Sequence, residues 1–187
     1  MIWNLPNILT LLRIPLLFAI IWLGEVDWEY RFVLIVTLLM ASMITDFLDG
    51  YLARKLNLVS DFGKIADPLF DKLFILGLFI WMLAIDLIPA WNVSIVLLLL
   101  LRELAVTGLR GGGTSSGKTF GADWFGKWKT TLLFASLWVL LIAQMLRVDF
   151  DMNGAWLETL YWAGVMLLWV GSALGIYSGI RYFRLHT

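Results

Sequence analysis

The chain of 187 residues is 61% hydrophobic and only 15% charged, and 11 of its residues are tryptophan. Its mean hydropathy of +0.86 is too apolar for a soluble domain of this length. The formal net charge is zero, so the overall charge gives no reason to expect binding to nucleic acid. The chain has one His and no Cys, which excludes thiolate chemistry, disulfides and thiolate zinc sites. We therefore expect an all-α, polytopic membrane protein in which residues 1–187 form a single domain.

Six mostly apolar segments reach or approach the roughly 20 residues that are needed to span a bilayer. In chain order they are residues 7–23, 32–53, 65–85, 90–109, 126–146 and 155–182, and short breaks with turn residues or charges separate them. The first segment lacks a small-residue cleavage site, so we interpret it as a retained membrane helix and not as a signal peptide. The sequence thus predicts a bundle of six transmembrane helices.

The distribution of positive charge predicts how this bundle is oriented. With six spans both termini lie on one side, and every Lys and Arg except Arg31 and Arg147 falls on that side, in its loops or in the helix ends next to it. Cytoplasmic segments of membrane proteins are enriched in Lys and Arg, so we expect both termini to face the cytoplasm.

Four aspartates interrupt the second and third apolar segments on the predicted cytoplasmic side. Asp46 and Asp49 are three residues apart, and Asp67 and Asp71 are four apart, so each pair is expected on one face of a helix. An aspartate at the centre of a membrane helix costs about 2.5–3.5 kcal/mol on insertion scales, so four of them need compensation by water or a bound cation. Carboxylates are hard oxygen ligands, which select Mg²⁺, Ca²⁺ or Mn²⁺ over zinc. The pattern therefore predicts a divalent-metal site.

Small residues accompany these carboxylates at helical spacing. Gly50 and Ala53 each lie four residues after one of the first two aspartates, and Gly63 lies four residues before the third. On a helix this spacing leaves space beside the carboxylates, where the phosphates of a ligand could approach the metal ions. Arg54 can supply a positive group at the mouth of that space.

The same residues also admit structural interpretations. Asp67 before Pro68 could be a helix N-cap, Asp46 could pair with Lys72 or Arg54, and the small residues could serve helix packing. A different functional interpretation is a cation pathway in a transporter. Such a pathway is expected near the bilayer midplane between broken helices, whereas all four aspartates lie toward one side.

The full pattern resembles the signature of the CDP-alcohol phosphotransferase family at every fixed position: Asp46-x2-Asp49-Gly50-x2-Ala53-Arg54-x8-Gly63-x3-Asp67-x3-Asp71. The N-terminal stretch LPNILTLLR, residues 5–13, is similar to that family as well. The resemblance implies a multi-pass enzyme of the bacterial inner membrane, usually a homodimer, whose active site faces the cytoplasm. Such enzymes release CMP from a CDP-linked membrane lipid, here CDP-diacylglycerol, and join its phosphatidyl group to an alcohol.

The resemblance also implies roles for individual residues. Two divalent cations, Mg²⁺ or Mn²⁺, would be held by the four aspartates Asp46, Asp49, Asp67 and Asp71. Asp71 would in addition accept the proton of the attacking hydroxyl group. The CDP group of the lipid would be bordered by six residues: Asn7, Thr10, Arg13, Gly50, Ala53 and Arg54.

Basic residues around the fourth and fifth segments predict the acceptor site, and they are Arg102, Arg110, Lys127 and Lys129. Together they suit a phosphorylated acceptor. Residues 102–110 and 125–131 resemble members of the family that use sn-glycerol 3-phosphate, although a sibling enzyme using inositol phosphate or another alcohol is an alternative. Arg102 could also form only a buried pair with Glu103, and the lysines could be only the positive flanks of a membrane span.

Residues 112–119, GGTSSGKT, match the phosphate-loop pattern GxxxxGK[ST]. A working phosphate loop follows a buried strand and leads into a helix, which aims backbone N–H groups at the phosphate. Here an apolar membrane segment precedes the match, and the residues FGADW that follow it are expected to form a loop. We therefore interpret it as a cytoplasmic connection that contains Lys118, and not as the site of a nucleotide hydrolase.

Overall fold

The computed structural model describes the backbone of residues 5–55, 61–113 and 124–186, and the side chains of 11–45, 69–108, 124–182 and 184. Within these residues all regular secondary structure is helical, and there is no strand. The helices are α1 (Leu5–Glu25), α2 (Arg31–Lys55), α3 (Asp61–Ala84), α4 (Val93–Gly113), α5 (Trp124–Val148) and α6 (Ala155–His186), and a 3₁₀ turn, Ala90–Asn92, precedes α4. Each of the six predicted apolar segments thus forms the body of a helix, as expected where lipid leaves the backbone no other hydrogen-bond partner.

Three stretches of the described chain are long and apolar enough to cross a membrane: Ala90–Gly108, Trp124–Val148 and Ala155–Tyr182. A shorter apolar helix covers Arg31–Thr45. Many large apolar side chains on these helices are exposed, and on α4 they include Leu97, Leu98, Leu101 and Leu104. Such surfaces are unfavourable in water and suit contact with lipid. The chain is therefore a membrane protein.

Helix ends differ from the predicted ends of the apolar segments. Helix α2 continues through Arg54 and Lys55, α3 begins at Asp61, and α4 continues through Gly113, so the first residues of the break between the fourth and fifth predicted segments are helical. Apolar composition marks where a helix is in contact with lipid, whereas backbone hydrogen bonds continue into polar residues beyond it. Asp67 is consequently the seventh residue of α3, and its interpretation as an N-cap is wrong.

Contacts within the chain group it into two compact units. The first contains Met1–Leu78 and Leu141–Asn153, and the second contains Phe79–Leu140 and Gly154–Thr187. Both units bury apolar side chains, among them Ile20, Phe32, Ile35 and Leu78 in the first and Phe79, Met82, Leu99, Leu140 and Leu168 in the second. The expectation of a single functional domain stays a prediction.

In the first unit, α1 packs against α2, and α3 approaches α1 closely at Gly77. A Cβ atom at Gly77 would lie 2.7 Å from a Cδ atom of Leu17, so only glycine fits there without movement. Asp149, which follows α5, accepts a 2.6 Å hydrogen bond from the backbone N–H of Val33 in the first turn of α2. The first N–H groups of a helix have no partner inside it, so Asp149 caps α2 from a distant part of the chain.

In the second unit, α4 packs against α6, and α5 contacts α6 through the hydroxyl of Ser136, which donates a 2.7 Å hydrogen bond to the carbonyl of Gly164. Asn92 is completely buried at the start of α4. Its amide donates to the carbonyl of Pro89 at 2.9 Å and accepts from the indole N–H of Trp169 at 2.7 Å. These bonds fix the entry of α4 against α6.

Candidate active site

The predicted metal ligands lie on the consecutive helices α2 and α3. Asp46 and Asp49 belong to the second half of α2, and Asp67 and Asp71 to the first half of α3. Because both stretches are helical, the backbone places the two members of each pair on one face of their helix, as their spacing predicts. Of these four residues, the structure describes the side chain of Asp71.

The remaining predicted residues of this site lie outside the described side chains, and they are Asn7, Thr10, Asp46, Asp49, Ala53, Arg54 and Asp67, while Gly50 is placed in α2 by its backbone. Among the side chains that are described, no group of three or more His, Asp and Glu could hold a metal ion. The composition of the donor set nevertheless fits a hard divalent cation, because four carboxylates on two helices offer oxygen ligands only.

Helices α1 and α3 are joined at this site by an ion pair between Arg13 and Asp71, in which Nη1 of the guanidinium contacts Oδ1 of the carboxylate. The side chain of Arg13 is 11% exposed, and that of Asp71 is 51% exposed. A cation removed from water is costly without a counterion, so the carboxylate stabilises the buried guanidinium. The structure thus brings together the predicted base and one of the predicted contacts to the CDP-lipid.

A second group of polar side chains lies in the second unit, where α4, α5 and α6 approach each other. Oε1 of Glu103 accepts hydrogen bonds from Nη1 of Arg102 at 2.6 Å and from Nζ of Lys129 at 2.5 Å. The remaining nitrogens of Arg102 are held by α6: Nε donates to the carbonyl of Gly175 at 2.9 Å, and Nη2 donates to the hydroxyl of Ser178 at 3.0 Å. We call these five residues the Arg102 cluster.

The charges of the Arg102 cluster are almost completely buried. Glu103 is 4% exposed and Lys129 is 6% exposed, and the side chain of Arg102 is 11% exposed. Two cations and one anion carry a net positive charge, and charges buried away from water require compensation. A phosphate group, which both Arg and Lys bind well, is a ligand of the right sign.

Two of the four predicted acceptor residues, Arg102 and Lys129, therefore meet in the structure through Glu103. Arg102 and Glu103 form the buried pair that was the alternative interpretation, and Lys129 extends that pair to a triad. Lys127 is exposed in the first turn of α5, and Arg110 lies in α4 with its side chain outside the described set.

The contribution of α6 was missed from sequence. A Cβ atom at Gly179 would lie 2.9 Å from Cγ of Arg102, and one at Gly175 would lie 2.9 Å from Cδ of Lys129. The available signal is the spacing of Gly171, Gly175 and Gly179, because small residues one turn apart on a membrane helix are typical of close packing. That spacing does not reveal that the packed side chains are charged.

The phosphate-loop interpretation finds no support in the fold. The residues that precede the match form helix α4 and not a strand. Residues 114–123, including Lys118, lie outside the described backbone. A phosphate loop of this type follows a strand, so the helix that precedes the match argues against a phosphate loop here.

Comparison with known proteins gives a consistent result. The profile of a family described as CDP-alcohol phosphatidyltransferase matches residues 3–177. The chain is 35% identical to the CDP-diacylglycerol–glycerol-3-phosphate 3-phosphatidyltransferase of Bacillus subtilis, over 97% of this chain and 94% of that protein. It is 35% identical to the protein of that name from Rickettsia typhi, over 97% and 96%. It is 32% identical to CDP-diacylglycerol–glycerol-3-phosphate 3-phosphatidyltransferase 2 of Arabidopsis thaliana, over 97% and 78%. These similarities favour the enzyme over the transporter interpretation.

Proposed function

Because the chain belongs to the CDP-alcohol phosphatidyltransferase family, we propose that it transfers the phosphatidyl group of CDP-diacylglycerol to sn-glycerol 3-phosphate. The observation that carries this proposal is similarity over almost the whole chain to relatives named for that reaction. In the reaction, a hydroxyl oxygen of the acceptor forms a bond to the phosphorus of the phosphatidyl group. The bond between this phosphorus and the bridging oxygen breaks, and CMP leaves with the electron pair. The products are phosphatidylglycerophosphate and CMP.

Two divalent cations, Mg²⁺ or Mn²⁺, would be held by Asp46, Asp49, Asp67 and Asp71. When bound, such ions neutralise the charge of the pyrophosphate and of the departing CMP. The placement of the two aspartate pairs on helical faces of α2 and α3 supports this assignment.

Asp71 would accept the proton of the acceptor hydroxyl on its carboxylate. Its side chain is half exposed, so a substrate can reach it, and its contact with Arg13 restricts its orientation. A base that is held in a fixed orientation contributes through positioning even when it is a weak base. Arg13 would in turn lie beside the CDP-lipid.

The other contacts to the CDP-lipid are proposed from the motif, and they are Asn7, Thr10, Gly50, Ala53 and Arg54. Gly50 and Ala53 present almost no side chain, so the phosphates can approach the helix backbone closely. Arg54 carries a positive charge that would attract the diphosphate.

The phosphate of the acceptor would bind to Arg102 and Lys129. Arg102, Lys129 and Glu103 together carry a net positive charge, which supports this choice because a phosphate monoester is an anion. Arg110 and Lys127 are proposed as additional contacts because of their charge and their position at the ends of α4 and α5.

We further propose six membrane spans with both termini in the cytoplasm, and a homodimer in the bacterial inner membrane whose active site faces the cytoplasm. The strong bias of Lys and Arg to one side supports this orientation. Exposed tryptophans at helix ends, such as Trp22, Trp91, Trp124 and Trp156, agree with interfacial positions.

The proposal is tested by measuring CMP release from detergent-purified protein. CDP-diacylglycerol and Mg²⁺ are supplied with or without sn-glycerol 3-phosphate, and a parallel sample receives a chelator. We expect release only when both substrates and the metal are present. Release that requires inositol phosphate or another alcohol would retain the chemistry and reject the acceptor, and no release with any acceptor would reject the proposed reaction.

A further inference from the structure

Glu103 and helix α6 hold both cations of the Arg102 cluster in place. One carboxylate oxygen of Glu103 accepts a hydrogen bond from Arg102 on α4 and another from Lys129 on α5. A single acceptor that is shared by two cations fixes the separation of their charged groups. It also offsets part of the repulsion that two buried positive charges would experience.

Helix α6 supplies a contact surface for the side chains of Arg102 and Lys129. The carbonyl of Gly175 and the hydroxyl of Ser178 bind two nitrogens of Arg102, while Gly175 and Gly179 leave room for the aliphatic stems of Lys129 and Arg102. The three hydrogen bonds to Arg102 engage each of its nitrogens once. Nη1 and Nη2 each carry a second N–H that these bonds do not use, and guanidinium N–H groups bind phosphate well.

We infer that Glu103 is a positioning residue of the acceptor site, which holds Arg102 and Lys129 for the acceptor phosphate. It acts together with a contact surface on α6 that is formed by Gly175, Ser178 and Gly179. The inference rests on the proposed function and adds four residues to it. It also gives a reason for acceptor choice, because a net positive and buried site favours a phosphate monoester over an uncharged alcohol.

The test compares steady-state kinetics of four variants in the full-length protein. Glu103→Gln removes the shared charge, Ser178→Ala removes one hydrogen bond to Arg102, and Gly179→Ala pushes against the stem of Arg102. Gly164→Ala is the matched control on the same helix α6, because its added Cβ would lie 2.8 Å from Cγ of Leu140 on α5 and its nearest neighbours are apolar side chains.

We expect the first three variants to raise KM for sn-glycerol 3-phosphate about tenfold or more, as lost hydrogen bonds to charged groups do. KM for CDP-diacylglycerol should stay within about twofold, since the positions of the metal ligands are unchanged. In folded Gly164→Ala protein, both KM values should stay near those of the wild type. If Glu103→Gln does not fold, the other two substitutions still decide the question.

Unchanged KM for sn-glycerol 3-phosphate in all folded variants, with an active wild type, would overturn the inference and leave the proposed reaction intact. If the wild type releases no CMP, the proposed reaction fails, and thermal stabilisation by sn-glycerol 3-phosphate then becomes the readout. Stabilisation of the wild type that is lost in Ser178→Ala and Gly179→Ala but kept in Gly164→Ala would support the phosphate site. Absence of stabilisation in the wild type would overturn it.

Discussion

Substitution of Asp149 is expected to lower the stability of the protein without affecting catalysis. Its carboxylate accepts a 2.6 Å hydrogen bond from the N–H of Val33, and α2 has no acidic residue in its own first turn. Asp149 therefore supplies both the hydrogen-bond acceptor and the negative charge that a helix N-terminus favours. The substitution Asp149→Ala removes both the hydrogen bond and the negative charge.

The magnitude follows from the exposure and type of this bond. A hydrogen bond to a charged group contributes about 1.5–3 kcal/mol, and loss of an N-cap costs about 0.5–2 kcal/mol. Asp149 is partly exposed, so we expect a loss in the lower part of the combined range, about 1–2 kcal/mol. For a chain of this size that corresponds to a decrease in Tm of about 3–6 °C. Asp149→Asn keeps an oxygen acceptor and should lose about half as much.

Catalysis should be unaffected at temperatures where the variant is folded. Val33 and Asp46 are separated by 13 residues of one helix, which at 1.5 Å per residue is about 20 Å. The assay records intrinsic tryptophan fluorescence during heating, together with CMP release well below Tm. Asp151→Asn is the matched control, because it removes an exposed acid from the same turn and asparagine also tolerates the positive φ of 48° found there.

An unchanged Tm in Asp149→Ala would refute the capping argument. A stable variant with little activity would refute the claim that this end of α2 is independent of the chemistry.

Substitutions at three further residues test the assignments of individual residues. Asp71→Asn should lower turnover at least about 100-fold and largely spare binding of CDP-diacylglycerol, and normal turnover would disprove its role as the base. Arg13→Ala should weaken CDP-diacylglycerol binding and turnover together, whereas Arg13→Lys should restore part of both because it keeps the charge beside Asp71; equal defects in the two variants would argue against a role of that charge. Lys118→Ala should leave activity within about twofold of wild type, and an inactive variant would revive the phosphate-loop interpretation.

The elements predicted from sequence are those that depend on local properties of the chain. Apolar segments of about 20 residues predict helices because lipid offers the backbone no other partner. The aspartates were recognisable because their spacing is defined within one helix at a time. Helix ends were less accurate, as in α4, because hydropathy reports contact with lipid and not the continuation of backbone hydrogen bonds.

The contacts that could not be predicted from the sequence are those that depend on which helices pack together. Asp149 reaches Val33 across 116 residues, and Arg102 reaches Ser178 across 76. Neither contact produces a periodic pattern in the sequence. Arg102 and Lys129 were identified as a basic group, yet their connection through Glu103 required the packing of α4 and α5 to be known.

The two groups of charged residues differ in the sign of their formal net charge. Four aspartates, one of which contacts Arg13, belong to the motif on α2 and α3, so this set of residues has a surplus of negative charge and suits cations. The Arg102 cluster has a surplus of positive charge and suits an anion. Apolar helices tolerate such surpluses only at a cost in free energy, so residues of this kind are expected where a ligand supplies the opposite charge. The proposed transferase, which would use divalent cations and a phosphorylated acceptor, needs one negatively charged site and one positively charged site. A cation pathway gives no reason for the positively charged site.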